Sequence, residues 1–503
     1  MKSLQIKILS LLLAGATLVS CNKWVDYDPK DDFKITDLEY FKSEADYRSI
    51  AVGVYAPLQW LNQVVPVGDI ISDNSVTGGE SASDVLSLQQ INNFTHTPIN
   101  GTIADLWQSS YEGINRANYM HQFKDKNPAG QTITFPGKDA LYGEVYFVRA
   151  YYYFTLVKMF GGVPLFVDKR LTFSDLGTIT RASQADVYKQ IEADLTSAIA
   201  VLPVVQVEKG RATKYAAQAL LGKVLLYQNK YAPAAAMLDN VITSNAFSLV
   251  SDFNSIFLPS GENGPESVFE IQYSNGSATY DWNHVTRGQG NYSVQQCGIR
   301  GLNGSAAMPY NPGWSTNLPS QNLAAAYTAG DKRKAVTVLD IEAYKTANPA
   351  LNITYQVAPY QNTGLYNQKY LPRKGETSGQ VELNYSNNFR TIRYADVLLM
   401  AAEAFNKSGN DVKALTYVNL VRRRAFGNTL NDITATGTAL YDAILNERRL
   451  ELAMEGERFF DLVRTGKAAS VLGTLGFVAG KHELFPIPQG EVDLAGLTQN
   501  PGY

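Results

Sequence analysis

The sequence predicts a mostly α-helical fold, a helical-repeat scaffold interrupted by one long irregular excursion. Three observations predict it. Apolar residues recur at three- and four-residue intervals through much of 39–250 and 391–475, the expected helical scaffold on either side of an excursion at 251–390. Two segments, 214–244 and 393–424, share one plan of helix, short polar turn and helix, with small residues where two helices would cross closely. Between them, 251–388 is dominated by Gly, Pro, Asn and Tyr and holds few helical periods, 321–328 excepted.

In chain order, the first helix starts at Ser43, which suits an N-cap, and runs through Tyr47, Ile50, Val54 and Leu58. Gly78-Gly79 and Asn92-Asn93 mark a polar loop between Ile71 and Gly101. A second helix carries Leu106, Trp107, Tyr111, Ile114 and Tyr119. The third, 137–160, holds Tyr151-Tyr152-Tyr153-Phe154 and stops at Gly161-Gly162-Val163-Pro164, because neither glycine nor proline continues the hydrogen-bond ladder comfortably. A fourth, 183–202, ends at Pro203. The 214–244 segment contains Leu221-Gly222, Tyr227, Tyr231 and Ala235; the 393–424 segment contains Ala402-Glu403, Phe405, Asn410-Asp411 and Ala414. Each resembles the roughly 34-residue tetratricopeptide unit. Such pairs stack to bury a continuous core.

The amino terminus speaks to compartment. Lys2 and Lys7 precede an apolar run over 8–19, the order of a secretory leader and shorter than the roughly 20 residues that span a bilayer. Leu18-Val19-Ser20-Cys21 resembles a bacterial lipobox, whose cysteine is lipid-modified and becomes the first mature residue. The expected organisation is therefore a signal peptide at 1–20, a lipidated Cys21 with a polar, acidic tether at 21–38, and a folded domain at 39–503. Cys297 is the one other cysteine. With Cys21 committed to an anchor no intramolecular disulfide can form, and Cys297 reads as a small packed hydrophobe.

Composition narrows the function classes. With 45% apolar residues over 503 positions the chain is folded and can bury a large core. A formal net charge of −3 and no Lys/Arg stripe beyond Arg422-Arg423-Arg424 argue against nucleic acid as a partner. Tyrosine, at 30 residues against 21 Phe and 5 Trp, suits both wet binding surfaces and helix–helix packing. The four histidines, His96, His121, His284 and His482, are scattered without HExxH spacing, and no GxSxG occurs. No cofactor is implied. An oxygen-ligated calcium leaves no firm spacing outside the EF-hand pattern, so the sequence does not speak to one.

The most charged stretch is 445–466, LNERRLELAMEGERFFDLVRTG. Glu447, Glu451 and Glu455 recur every four residues among Arg448 and Arg449, and Gly456 interrupts the pattern. Paired carboxylates on one helix face permit two readings, a catalytic pair or a structural ion-pair network. A glycosidase needs carboxyls roughly 5–9.5 Å apart across a cleft. Neighbouring arginines push a carboxyl pKa down, the wrong direction for a general acid. The network reading is preferred: a lock between the last repeat helix and the Phe459-Phe460 turn.

These motifs, in order, resemble the RagB/SusD family of Bacteroidetes-type outer-membrane lipoproteins over essentially the whole mature chain. The resemblance rests on 106–118 (LWQSSYEGINRAN), Arg149-Ala150-Tyr151-Tyr152-Tyr153, Gly161-Gly162-Val163-Pro164-Leu165, Asp331-Lys332-Arg333, Lys369-Tyr370 and 392–400 (IRYADVLLM). It continues through the glutamate/arginine helix with Arg458-Phe459-Phe460-Asp461-Leu462-Val463-Arg464-Thr465-Gly466, then Phe485-Pro486-Ile487-Pro488 and 499–503 (QNPGY). Ala495-Gly496 stands where the family's tail often carries Asn. The resemblance implies four tetratricopeptide-like helix pairs, attachment at the cell surface, a SusC-like TonB-dependent outer-membrane transporter as partner, and binding of nutrients, usually oligosaccharides, without catalysis.

A glycan binder needs aromatic faces for sugar rings and polar side chains for hydroxyls, each such hydrogen bond worth about 0.5–1.5 kcal/mol net. Trp282 and Trp314 come first, because indoles in Gly/Asn-rich sequence are hard to explain as core; packing the excursion onto the helices is the competing reading. Tyr280, Tyr292, Tyr310 and Tyr360 share that context, and the 73–101 loop adds Asp73, Asn74, Asn92, Asn93 and Phe94. Trp107, at helical spacing with Tyr111, reads as core; Trp60 fits either role; Trp24 in the tether is placed to touch membrane or transporter. The alternatives are a lipid-anchored glycoside hydrolase, a family member that takes peptide or another nutrient, and a scaffold that docks only proteins.

Overall fold

Helix signals local to the sequence account for most of the architecture. The computed structural model describes residues 40–276, 281–282, 288–357 and 360–503. The leader, Cys21, the tether with Trp24, and Tyr280 lie outside the described residues.

The helices are α1 (Glu44–Tyr55), α2 (Val64–Ile70), α3 (Leu86–Asn92), α4 (Gly101–Gln122), α5 (Lys138–Phe160), α6 (Gln184–Val201), α7 (Lys214–Tyr227), α8 (Tyr231–Thr243), α9 (Ser293–Cys297), α10 (Gln321–Ala326), α11 (Lys334–Thr337), α12 (Ile341–Ala347), α13 (Tyr394–Lys407), α14 (Asp411–Phe426), α15 (Gly437–Glu451), α16 (Arg458–Arg464), α17 (Ala468–Leu472) and α18 (Gln489–Ala495). Among the described residues no helix is long and apolar enough to cross a membrane.

A small unit is built, among the described residues, from 40–47 and 123–135. Within it Phe41, Tyr47, Phe123 and Phe135 pack ring to ring, and the Tyr47 hydroxyl donates to the Phe123 carbonyl at 3.1 Å. Ser43 caps α1 as its sequence suggests. Its backbone N–H donates to Asp46 Oδ2 at 2.8 Å, while its hydroxyl accepts from the Asp46 N–H at 3.4 Å.

The large unit comprises 48–122 and 136–503. Here α4 packs on α5, α5 on α6, α6 on α7 and α7 on α8; α8 meets α13, which packs on α14 and α15. Helix boundaries follow the sequence signals. Gly161 ends α5 with φ +72°, Ser183 caps α6 by accepting from the Asp186 N–H at 3.1 Å, and Asn410 caps α14. Small residues mark close crossings: a Cβ on Gly222 would lie 2.5 Å from Leu238 Cγ, and one on Gly113 would lie 2.1 Å from the Tyr152 ring. The α5 tyrosines bury their rings and bridge neighbours through their hydroxyls, Tyr142 to the Met120 carbonyl (2.9 Å), Tyr152 to Val54 (2.8 Å) and Tyr153 to Phe166 (2.7 Å).

Two departures from the sequence expectation stand out. The 71–101 loop contains α3, whose Leu88 and Ile91 are buried; its seven residues make about two turns, short of the roughly 11-residue window over which helical periodicity stands out from polar surroundings. The helix expected through Glu455 stops at Glu451, and Met454 turns back with φ +64°. Gly456 then allows a backbone contact no side chain permits, since a Cβ on the facing Gly68 of α2 would lie 2.1 Å from the Gly456 carbonyl oxygen.

Among the described residues three two-stranded antiparallel pairs order the irregular excursion and tie it to its flanking segments. β1 (Ser75–Val76) pairs with β3 (Leu318–Pro319), β2 (Ser267–Ile271) with β6 (Phe389–Arg393), and β4 (Leu339–Asp340) with β5 (Leu365–Tyr366). Its own core gathers Ile299, Leu302, Met308, Tyr310, Leu318, Ile341, Tyr366 and Leu371. That satellite core fixes the loops that carry Tyr292 and Trp314.

Candidate functional site

Two indoles come together on the excursion. Trp282 and Trp314 lie with ring centroids 5.8 Å apart and planes 28° from parallel; Tyr292 adds a ring 6.5 Å from Trp314, tilted by 54°. Van der Waals contact needs about 3.5–4.0 Å on each side of a ligand ring, so sandwiching a sugar would take roughly 7–8 Å. The gap is too narrow. The open surface is the outward face of Trp282, which is 53% exposed, with the half-buried Trp314 behind it. The aromatic contact itself contributes about 0.5–1.5 kcal/mol to holding Trp282 in place.

Backbone hydrogen bonds hold Trp314 rigid. α9 presents Tyr292 at its N-cap, and the turn after Gly313 folds back on that helix. Trp314 N–H donates to the Gln295 carbonyl (2.8 Å), Gly313 to Ile299 (2.9 Å), Ser315 to Gly298 (2.9 Å) and Thr316 to Gln296 (2.9 Å). The two turns touch at glycine: a Cβ on Gly298 would lie 2.6 Å from Gly313 Cα, and one on Gly313 2.5 Å from the Gln295 carbonyl oxygen. On the far side Arg300 donates to the Trp314 carbonyl at 2.9 Å and reaches Asp84 at 2.7 Å and Glu80 at 3.4 Å. Gly79 bridges to Tyr360, whose ring is half-buried. Both backbone groups of Trp314 are therefore satisfied before any ligand arrives, which lowers the ordering cost of binding.

The remaining sequence candidates lie elsewhere. Asp73 is taken up by two guanidinium groups, Arg458 (2.8 and 3.0 Å) and Arg449 (3.0 Å). Burial alone would raise its carboxyl, but the Arg458 hydrogen bond and the two positive charges bring it below the ordinary value. Tyr310 is only 8% exposed, packs on Tyr344 at 5.9 Å, and accepts from Gln368 at 3.0 Å, so its face is not open to a ligand. Phe94 is buried edge-on against Phe477 at 5.7 Å and close to His482; Asn93 is exposed beside it and accepts from Asn92 at 3.0 Å. Trp107 sits in the core, edge-on to Phe160 at 5.0 Å, and Trp60 lies half-buried under Arg116 at 5.0 Å. Sequence reasoning passed over Arg300, Asp84 and the Gly298/Gly313 contact. Arg300 and Asp84 are joined only by the fold, and nothing in their local sequence marks them.

The charged stretch forms a buried ion-pair network. Glu447 meets Arg333 (2.7 Å) and Arg422 (2.8 Å); Glu451 meets Arg333 (3.0 Å), Arg393 and Arg424; Glu455, from the turn after α15, meets Lys369 (2.6 Å) and Arg393 (2.8 Å). Arg448 joins Asp396 (2.7 Å) to Asp461 (3.2 Å), and Arg464 joins Asp461 to Glu403, both at 2.7 Å. Burial would raise the Glu451 carboxyl, but Arg424, Arg393 and Arg333 hold it well below the usual carboxylate range. Both Glu447 and Glu451 are fully buried, and each lies in ion-pair contact with at least two arginines. They cannot flank a substrate. Among the described residues no cluster of three or more His, Cys, Asp or Glu is arranged to hold a metal ion.

Fold and site define a class, a helical scaffold whose loop-rich excursion presents a pinned aromatic face. The chain belongs to the SusD family. A model described as "SusD family" matches residues 341–503, and one described as "Starch-binding associating with outer membrane" matches 23–226. SusD-like protein P38 of Formosa agariphila is 30% identical over 100% of this chain and 99% of its own length. A solved laminarin-binding SusD-like protein is similar at 35% identity and TM-score 0.83, covering 92% of this chain and all of that one. Surface glycan-binding protein A from Bacteroides thetaiotaomicron, solved in complex with laminarihexaose, is similar at 28% identity and TM-score 0.79, covering 91% of this chain and all of that one.

Proposed function

We propose that this chain is a lipid-anchored protein of the outer-membrane surface that binds a laminarin-like glycan on the Trp282–Trp314–Tyr292 face and hands it, unaltered, to a SusC-like TonB-dependent transporter. One observation carries the reading: an exposed indole stacked on a second indole whose backbone is pinned on both sides. Such a face offers a flat apolar surface with little ordering cost, which matches the apolar face of a sugar ring. The names of two similar structures, one binding laminarin and one holding laminarihexaose, support the choice of ligand class. The lipobox-like sequence ending in Cys21 supports the anchor. Burial and pairing of Glu447 and Glu451 support binding without hydrolysis.

The test is a calorimetric titration of the mature protein with laminarin, laminarihexaose, starch and a peptide panel, followed by assay of each glycan for new reducing ends. Saturable laminarin binding with no new ends is the expected result. Silence across all glycans with a peptide bound, or steady release of reducing ends, refutes the reading. Purification of the native protein from outer membranes should bring the transporter with it; recovery without any TonB-dependent partner removes the delivery role.

A further inference from the structure

A second groove lies on the helical scaffold. It has a volume of about 310 Å³, and its lining includes Trp107, Gln108, Tyr111, Asn115, Phe166 and Glu491, together with Glu112. Its floor is aromatic: Tyr111 and Phe166 are stacked at 5.7 Å with planes 19° apart, and Trp107 sits 4.9 Å from Tyr111. Tyr111 is fixed by donating its hydroxyl to the Pro164 carbonyl at 2.8 Å, and Asn115 by accepting from the Leu171 N–H at 3.0 Å through Oδ1, which leaves its amide N–H groups for a ligand. No indole of the Trp282 face contributes.

Glu491 gives this groove its character. Among the described residues its carboxylate forms no ion pair with Lys, Arg or His, in a chain whose other half-buried acids are mostly matched. Burial raises its carboxyl, with only a hydrogen bond from Trp107 acting against that. The basic groups nearby are already engaged. Arg116 pairs with Glu112 at 2.9 Å, and Arg181 spends its guanidinium on the Gly162, Phe160 and Thr498 carbonyls and the Asn500 side chain. A half-buried carboxylate beside stacked aromatic faces is the complement of an organic cation: the charge pairs with the carboxylate, and the stem and ammonium lie against the rings.

We propose that this groove binds a cationic amino sugar of the hexosamine type, with Glu491 taking the ammonium, the Tyr111–Phe166 pair taking the ring face, and Gln108 and Asn115 the hydroxyls. A volume near the small end of the roughly 300–1,000 Å³ range of ligand pockets suits a mono- or disaccharide rather than a polymer. The site is independent of the Trp282 face, so either can fail without the other.

The test titrates the mature protein with glucosamine and chitosan disaccharide, with N-acetylglucosamine as the uncharged control and lysine methyl ester as a cation without a sugar ring. Glucosamine or the disaccharide should bind, N-acetylglucosamine should be at least about tenfold weaker, and lysine methyl ester should be weaker than the amino sugars. Glu491→Gln, which keeps size and the Trp107 contact, should weaken amino-sugar binding by at least about tenfold while the melting curve is unchanged. Trp282→Ala should leave it intact. Absence of amino-sugar binding, equal binding of the acetylated control, lysine methyl ester binding as tightly as glucosamine, or an undiminished Glu491→Gln each overturns the proposal. Should Glu491→Gln melt early, Phe166→Leu serves as the second variant, with loss of amino-sugar affinity expected and retention overturning.

Discussion

Replacing Trp282 with alanine tests the aromatic face most directly. The side chain is 53% exposed, and a tryptophan carries up to about 250 Å² of surface, so roughly 130 Å² stands open. A sugar ring laid on one face covers about half of that, roughly 65 Å². At about 25 cal/mol per Å² the contact contributes about 1.6 kcal/mol, which is about a 15-fold loss in affinity. Because Trp314 lies directly behind, its uncovered face offers the ligand a substitute, and 15-fold is an upper figure for the single variant. The double variant Trp282→Ala/Trp314→Ala removes both faces and should lose more. Calorimetry with laminarihexaose gives the affinities, and urea unfolding gives the stability, which should fall by about 0.5–1.5 kcal/mol, the worth of the stacking contact on Trp314, with a single cooperative transition retained. Affinity within twofold of wild type for both the single and double variants, each still unfolding cooperatively, refutes the assignment of this face.

Four further outcomes are expected. Gly298→Ala forces a Cβ to within 2.6 Å of Gly313 Cα, so it should cost about 1–3 kcal/mol of stability and weaken laminarihexaose binding by displacing Trp314; unaltered binding would show that the turn is not the frame. Glu451→Gln leaves Arg393, Arg424 and Arg333 short of an anion and should destabilise by about 3–5 kcal/mol in urea, whereas a loss below 1 kcal/mol, on the order of a surface pair, would contradict the network reading. Arg458→Ala breaks a two-point pair with Asp73 that Arg449 only partly replaces; a loss of about 1–2 kcal/mol with glycan affinity unchanged is expected, and loss of affinity at full stability would bring Asp73 back as a ligand residue. Burial, with His482 and Lys481 adding, lowers His96 to about 3 from an ordinary 6.5. The unfolded chain therefore takes up a proton between those values that the folded chain refuses, and stability falls as pH drops through that window by at most about 1.4 kcal/mol per pH unit; His96→Phe should lose that share of the slope, and identical slopes in urea titrations would exclude His96 as its source.

Local signals carried the scaffold and much less of the site. Period, caps and stops are properties of neighbouring residues, so α4 was legible as a helix, and α5 to α8, α13 and α14 with their outer ends nearly in place. The stop at Glu451 was not, because the fourfold glutamate spacing continues past it while the chain is turned by Met454 and by the contact of Gly456 with Gly68, a partner almost 400 residues away. Trp282, Trp314 and Tyr292 could be singled out because bulky rings among Gly and Asn lack core neighbours in sequence. Tyr310 and Phe94 sit in equally polar stretches, yet Tyr344 and Gln368 close over the one, Phe477 and His482 over the other. Composition reports that a ring is in a loop. Burial depends on what the fold lays over it.

If the Trp282 face is the binding face proposed above, the touching glycines at 298 and 313 bear on how readily this protein could change its ligand. The frame that aims the aromatic face is made of backbone hydrogen bonds and two missing side chains, and none of it depends on which residue stands at 282 or 292. Exchange at those positions alters the surface offered to a ligand while leaving the turn that presents it untouched. A scaffold partitioned in this way can be re-specified one ring at a time, by drift or by design, with little risk to the helices that carry it.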